Sequence, residues 1–164
     1  MLKTVLSPDD CAKCRFCCSF RRQSLWETPL FPAETAKRLA ERYPRARFKP
    51  ASNGYLTIDI DSDYKTDDPE EEALCPFNKN GCVLTGDDKP FDCSIWPLRV
   101  MPHGDRLAIC LTPTCPVISA KPLDIMRELV SGEVGDKVIN YARTHPEMIK
   151  ERRDDFPVLR EFDA

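Results

Sequence analysis

The sequence predicts an α+β fold in one small domain, and three observations carry that expectation. Short alternating apolar runs lie next to glycine turn signals, amphipathic stretches of helical period lie towards both ends, and fifteen prolines against six glycines cut the chain into short, stiff connections. With 164 residues, 41% of them hydrophobic, residues 1–164 suffice for a single domain with one core. The expected arrangement is an N-terminal helix bearing cysteines, short antiparallel hairpins, and C-terminal helices packed around a cysteine-rich metal centre.

Taken in order, Ser7-Pro8-Asp9-Asp10 reads as a helix start: a capping hydroxyl, proline in the first turn, and acidic side chains at the positive end of the helix dipole. At about 100° per residue, a continuous helix would bring Cys11, Cys14 and Cys18 within an arc of roughly 60°, with Cys17 on its flank. Adjacent cysteines could instead face different sites. From Phe31 to Tyr43, apolar residues at Ala33, Ala36, Leu39, Ala40 and Tyr43 predict an amphipathic helix ended by Pro44. Asn53-Gly54 between Phe48 and the alternating run Tyr55–Asp61 is a hairpin signal, with Leu56, Ile58 and Ile60 facing inward.

Residues 61–72 are acidic and lack an apolar period, so they read as a polar loop. A second hairpin is expected from Leu98–Met101 and Arg106–Leu111 around His103-Gly104-Asp105, with Pro102 favouring an edge strand. Pro122–Val130, stopped at Gly132, and Glu133–Thr144 repeat apolar residues at helical spacing. Residues 155–164 read as a loose end.

Nine cysteines dominate the chemistry: Cys11, Cys14, Cys17 and Cys18 within eight residues, then Cys75, Cys82, Cys93, Cys110 and Cys115. Thiolates this dense repel one another and oxidise unless a soft or borderline cation holds them. The N-terminal run is too short and polar for a secretory signal, and nothing approaches the roughly 18 apolar residues of a membrane span. A cytoplasmic location without membrane association is therefore expected, where thiols stay reduced and a cysteine crowd reads as a metal set rather than a disulfide framework. The later cysteines sit among proline and glycine, in turns whose backbone N–H groups can bond to sulfur and tune it.

A net charge of −3 calls for neither nucleic acid nor an anionic membrane. The first third is locally basic through Arg21, Arg22, Lys37, Arg38, Arg42, Arg45, Arg47 and Lys49, and with no RNA- or DNA-binding motif this reads as a solvated face. The two histidines read as a solvated turn residue, His103, and a helix end, His145.

The series Cys11-x-x-Cys14-x-x-Cys17-Cys18, Cys75-Pro76-Phe77, Gly81-Cys82 and Lys89-Pro90-x-x-Cys93-x-x-Trp96-Pro97 is similar to the YkgJ-type CxxCxxCC family of zinc- or iron-chelating domains. Lys89 stands where that family has an arginine, Ser94 replaces a second arginine, and Trp96 takes the place of phenylalanine or tyrosine. The resemblance implies metal binding, and relatives carry labels such as iron–sulfur oxidoreductase or flagellin lysine N-methylase.

Spacing favours iron. Cysteines at x2 steps followed by a distant Cys-Pro resemble the ferredoxin way of holding a 4Fe–4S cube, here with Cys11, Cys14 and Cys17 or Cys18, and Cys75 or Cys115 as fourth ligand. Nine thiolates would serve one or two iron–sulfur centres; zinc is the alternative cofactor. The expected function is electron transfer or redox sensing with a redox or protein partner. The alternatives are a zinc-binding structural or interaction module, and a metal-dependent protein-modifying enzyme such as a lysine N-methylase. No catalytic constellation is visible apart from the metal centre.

Overall fold

Ser7 opens the first helix through reciprocal bonds. In the computed structural model, which describes Leu2 and residues 4–164, its hydroxyl accepts the Asp10 N–H at 3.2 Å, while the Asp10 carboxylate accepts the Ser7 N–H at 3.1 Å and the Ser7 hydroxyl at 2.7 Å. Helix α1 (Pro8–Cys14) then stops sooner than the sequence suggests. Arg15 takes a left-handed conformation (φ 55°), and Phe16–Cys18 form a separate 3-10 turn. The reason is the strand that follows: Ser19 and Phe20 must be extended to pair, and cysteine and phenylalanine are weak helix formers. The continuous arc expected for Cys11, Cys14 and Cys18 is therefore broken at Arg15.

The fold is α+β, and the chain forms two compact units, residues 11–93 and residues 1–10 with 94–164. In the first, β1 (Ser19–Phe20) pairs antiparallel with β5 (Ala73–Leu74). A second sheet has the order β2 (Leu30–Phe31), β4 (Leu56–Ile58), β3 (Phe48–Pro50). Asn53 and Gly54 at the β3–β4 turn have φ of 51° and 78°, the paired left-handed geometry for which Asn-Gly is suited, and Phe48 pairs with Ile58 as the alternation requires.

Helix α2 (Ala33–Arg42) lays Ala36 and Leu39 into the core and ends at Tyr43, before Pro44. Ile58, Ile60, Phe20, Phe31, Phe77 and Leu84 complete that core. Phe77 is its aromatic centre, with ring centroids 5.5 Å from Tyr43, 5.9 Å from Phe31 and 6.2 Å from Phe48. Helix α3 (Phe91–Ile95) carries Cys93.

The second unit is built on a sheet of order β6 (Leu98–His103), β7 (Arg106–Leu111), β8 (Val158–Phe162). Gly104 (φ 59°) makes the β6–β7 turn, and Pro102 lies on edge strand β6 as expected. Residues 155–164, read as a loose end, instead provide β8, which pairs antiparallel with β7 and buries Phe162. Five residues with a bulge in their pairing give too short an alternation to stand out in the sequence.

A single turn, α4 (Pro116–Ser119), buries Ile118; α5 (Leu123–Ser131) and α6 (Glu133–Thr144) follow close to the expected bounds. They cross tightly. Arg160 of β8 donates to the Val130 carbonyl near the end of α5 at 2.8 Å and pairs with Asp136 of α6 at 2.8 Å.

Candidate metal centre

Backbone pairing brings the N-terminal cysteine motif to Cys75. Continuing the β1–β5 ladder, the Cys75 N–H donates to the Cys18 carbonyl at 2.7 Å, and buried Phe20 and Ala73 hold the register just beyond. The Cys17 and Cys18 sulfurs are 3.9 Å apart.

Residues 75–84 form a small hairpin. Asn78 and Cys82 make an antiparallel bridge, the Val83 N–H donates to the Phe77 carbonyl at 2.9 Å, and the tip turns through Asn80 and Gly81 at positive φ (60° and 116°). A Cβ added at Gly81 would touch Ala12 of α1 at 3.5 Å, and the Arg15 guanidinium donates to the Asn80 amide oxygen at 3.3 Å. The hairpin tip is thereby seated on the cysteine-bearing helix.

Two sulfurs on this hairpin receive backbone N–H groups two residues ahead, Phe77 to Cys75 and Leu84 to Cys82. Both donor residues are buried apolar side chains, at 1% and 4% exposure, so core packing fixes the N–H directions. Such bonds stabilise a thiolate and tune any metal it binds. The expectation of sulfur-tuning turns is met at these two positions, where the signal was cysteine interleaved with proline and glycine. The donation of the Asn78 side chain to Cys18 had no comparable signal in the sequence.

The sulfurs share one electrostatic neighbourhood. Burial pushes the Cys93 thiol well above the usual value, and the charges of Cys75, Asp92, Cys82 and Cys18 add to the rise. Burial likewise raises Cys75 to about 12, with Cys18 and Cys82 adding repulsion against the Phe77 N–H. Cys82 is also raised, chiefly by burial, against the Leu84 N–H and the Lys89 charge. The contact with Cys18, together with burial, raises Cys17, and the same contact lowers Cys18, helped by Asn78 and Lys89 against its own burial. Cys11 and Cys93 also act on Cys17.

Cys14 is exposed at the end of α1. Cys110 and Cys115 belong to the other unit. Cys110 is buried on β7, raised by burial, with the Arg152 guanidinium donating to its sulfur at 3.4 Å. Buried Cys115 precedes α4, where a ligand-bearing turn was expected.

All nine cysteines are thiols rather than disulfides. As the side chains stand, no group of three or more His, Cys, Asp or Glu among the described residues is placed to hold a metal ion. The thiols of Cys18, Cys75, Cys82 and Cys93 suit a thiophilic ion in their chemistry.

The basic first third is met by the acidic loop. Arg21 pairs with Glu70 and Glu72 at 3.0 and 2.7 Å, Arg47 with Asp63 at 2.9 Å, and Lys49 with Asp61 at 2.5 Å. Arg22 donates to the Thr66 and Asp68 carbonyls and stacks 4.3 Å from the Tyr64 ring centroid. Arg38 and Arg42 both hold Asp88, at 2.6 and 2.7 Å. Among the described residues no helix is long and apolar enough to cross a membrane.

Comparison with known proteins gave no match to a family model, to a curated protein or to a solved structure. The resemblance to the CxxCxxCC family stands on the motif residues alone.

Proposed function

We propose that this protein binds an iron–sulfur cluster through thiolates of residues 11–93 and serves in electron transfer or redox sensing. The observation that carries this reading is the shared field of Cys18, Cys75, Cys82 and Cys93, with two of the sulfurs receiving backbone N–H groups. Burial and repulsion from neighbouring sulfurs both oppose ionising Cys75, Cys82 and Cys93, and a bound cation relieves both at once. The N–H donors at Phe77 and Leu84, with the Lys89 charge near Cys18 and Cys82, favour a negatively charged sulfur set. When bound, such a cluster supplies one-electron redox chemistry. The chain's own part is to orient the sulfurs and limit their contact with water.

Zinc is the second reading, favoured by the same count of four thiols, since a tetrahedral four-cysteine site needs no more. Protein purified without oxygen separates the two. Brown colour with broad visible absorbance, and iron with acid-labile sulfide, are expected; a colourless protein carrying stoichiometric zinc would replace the cluster with a structural ion. Folded protein with neither metal would end both readings.

A further inference from the structure

We propose that Cys17 and Cys18 form a two-thiol chelating site for a trivalent arsenical that carries one aryl group and two exchangeable hydroxyls. The proposal goes beyond the cluster reading and does not rest on it, because it needs only this pair and no bound metal.

The geometry is that of a one-atom bridge. The two sulfurs stand 3.9 Å apart, nearly twice the roughly 2.05 Å of a disulfide bond. Closing them directly on each other is opposed by the backbone, since adjacent Cα atoms across a trans peptide lie about 3.8 Å apart and disulfides usually span about 4.4–6.8 Å. That backbone is also pinned on both sides. The Cys18 N–H donates to the Arg15 carbonyl at 2.9 Å, the Ser19 N–H donates to the Phe16 carbonyl, and the Cys18 carbonyl accepts the Cys75 N–H at 2.7 Å. A single soft atom with bonds near the zinc–sulfur length of about 2.3 Å would hold two sulfurs about 3.8 Å apart at a tetrahedral angle and about 4.6 Å apart in a line. The observed separation fits the bent bridge.

The number and setting of the donors select the occupant. Structural zinc takes four ligands, and a linear two-coordinate ion needs the longer span, whereas trivalent arsenic bearing one aryl group is completed by two sulfurs. Both cysteines are partly exposed, so a small reagent reaches them, and the Asn78 side chain holds the Cys18 sulfur from the hairpin side. Two of the three large apolar side chains exposed among the described residues flank the pair. Phe16, 37% exposed, precedes Cys17 in the same 3-10 turn, and Leu74, 48% exposed, lies across the ladder from Ser19. They supply the apolar surface that an aryl group seeks.

Binding is an exchange without redox change. Two As–O bonds break and two As–S bonds form, each thiol proton leaves with one hydroxyl as water, and arsenic stays trivalent throughout.

Phenylarsine oxide, hydrated to its dihydroxy form, is the probe. Reduced full-length protein would be incubated with it beside a chelator that captures any displaced metal, challenged with excess monothiol, and read by intact mass and by alkylation with peptide mass spectrometry. The expected result is a phenylarsenic group that resists the monothiol and is released by a dithiol, with Cys17 and Cys18 the two positions whose alkylation falls relative to untreated protein. Cys17→Ser and Cys18→Ser should each abolish the retained adduct, and Cys14→Ser should keep it. Inorganic arsenite, which lacks the aryl group, should be held less well; equal retention would overturn the part given to Phe16 and Leu74.

No retained adduct, or shielding of another pair such as Cys11 with Cys17, would overturn the site. The alkylation map uses wild-type chain, so it decides the matter even if a serine variant fails to fold. Iron and zinc measured in the same sample beforehand keep the two readings apart. A retained adduct on folded protein isolated with neither metal would support this site and end the metal readings, and metal-loaded protein that gives no adduct would do the reverse.

Discussion

Phe77 does two jobs with one residue. Its ring is 1% exposed at the centre of the aromatic core, and its N–H points at the Cys75 sulfur. Phe77→Ala should cost about 3–5 kcal/mol, the range for truncating a buried aromatic, measured as a shift in denaturant midpoint. On the proposed metal–thiolate reading, metal content should fall alongside stability, because the same residue aims the N–H. Leu39→Ala, equally buried but on α2, should cost about 2–5 kcal/mol and, on that reading, leave the metal content of the surviving folded protein unchanged. Equal metal loss in both variants would show that Phe77 acts through global stability alone.

At the scale of elements, the α5–α6 crossing depends on having no side chain at Gly135. A Cβ there would lie 1.8 Å from the Val130 carbonyl oxygen and 2.9 Å from the Arg160 guanidinium. Backbone cannot yield as a side-chain tip can, so Gly135→Ala should destabilise by about 1–3 kcal/mol despite the better helix propensity of alanine, read as a lower Tm. Most elements could be read in the sequence where one local signal sufficed: the Ser7 cap, the Asn53-Gly54 turn, the Pro44 stop, the Gly132 break between two helices. What could not be read depended on distant partners. The stop at Arg15 follows from a strand that pairs with residues more than fifty positions later, and β8 exists because β7 offers an open edge. The site shows the same division. Cysteine among proline and glycine marked the two sulfur-tuning turns, but no spacing rule could place Cys110 and Cys115 in a different unit.

Over the whole molecule, paired charges set the response to acid. Arg38, and after it Arg42, hold the Asp88 carboxyl below its usual value, and the N–H groups of Lys65 and Thr66 do the same for Glu71. Carboxylates with depressed folded values contribute stability that is fully present above their unfolded values of about 4 and is lost as pH falls through the folded ones. The carboxylate part of the acid response should therefore be absent between about pH 7 and 5 and appear as a drop in denaturant midpoint below about pH 4, with Asp88→Asn and Glu71→Gln each reducing the size of that drop.

The interlocking of residues 61–72 with Arg21, Arg22, Arg47 and Lys49 bears on how a redox partner would dock. Such a partner would meet a fine mosaic of both signs, with little long-range pull at distances beyond a Debye length. Recognition of this unit would then rest on short-range fit, and encounter rates would change little between dilute and concentrated salt.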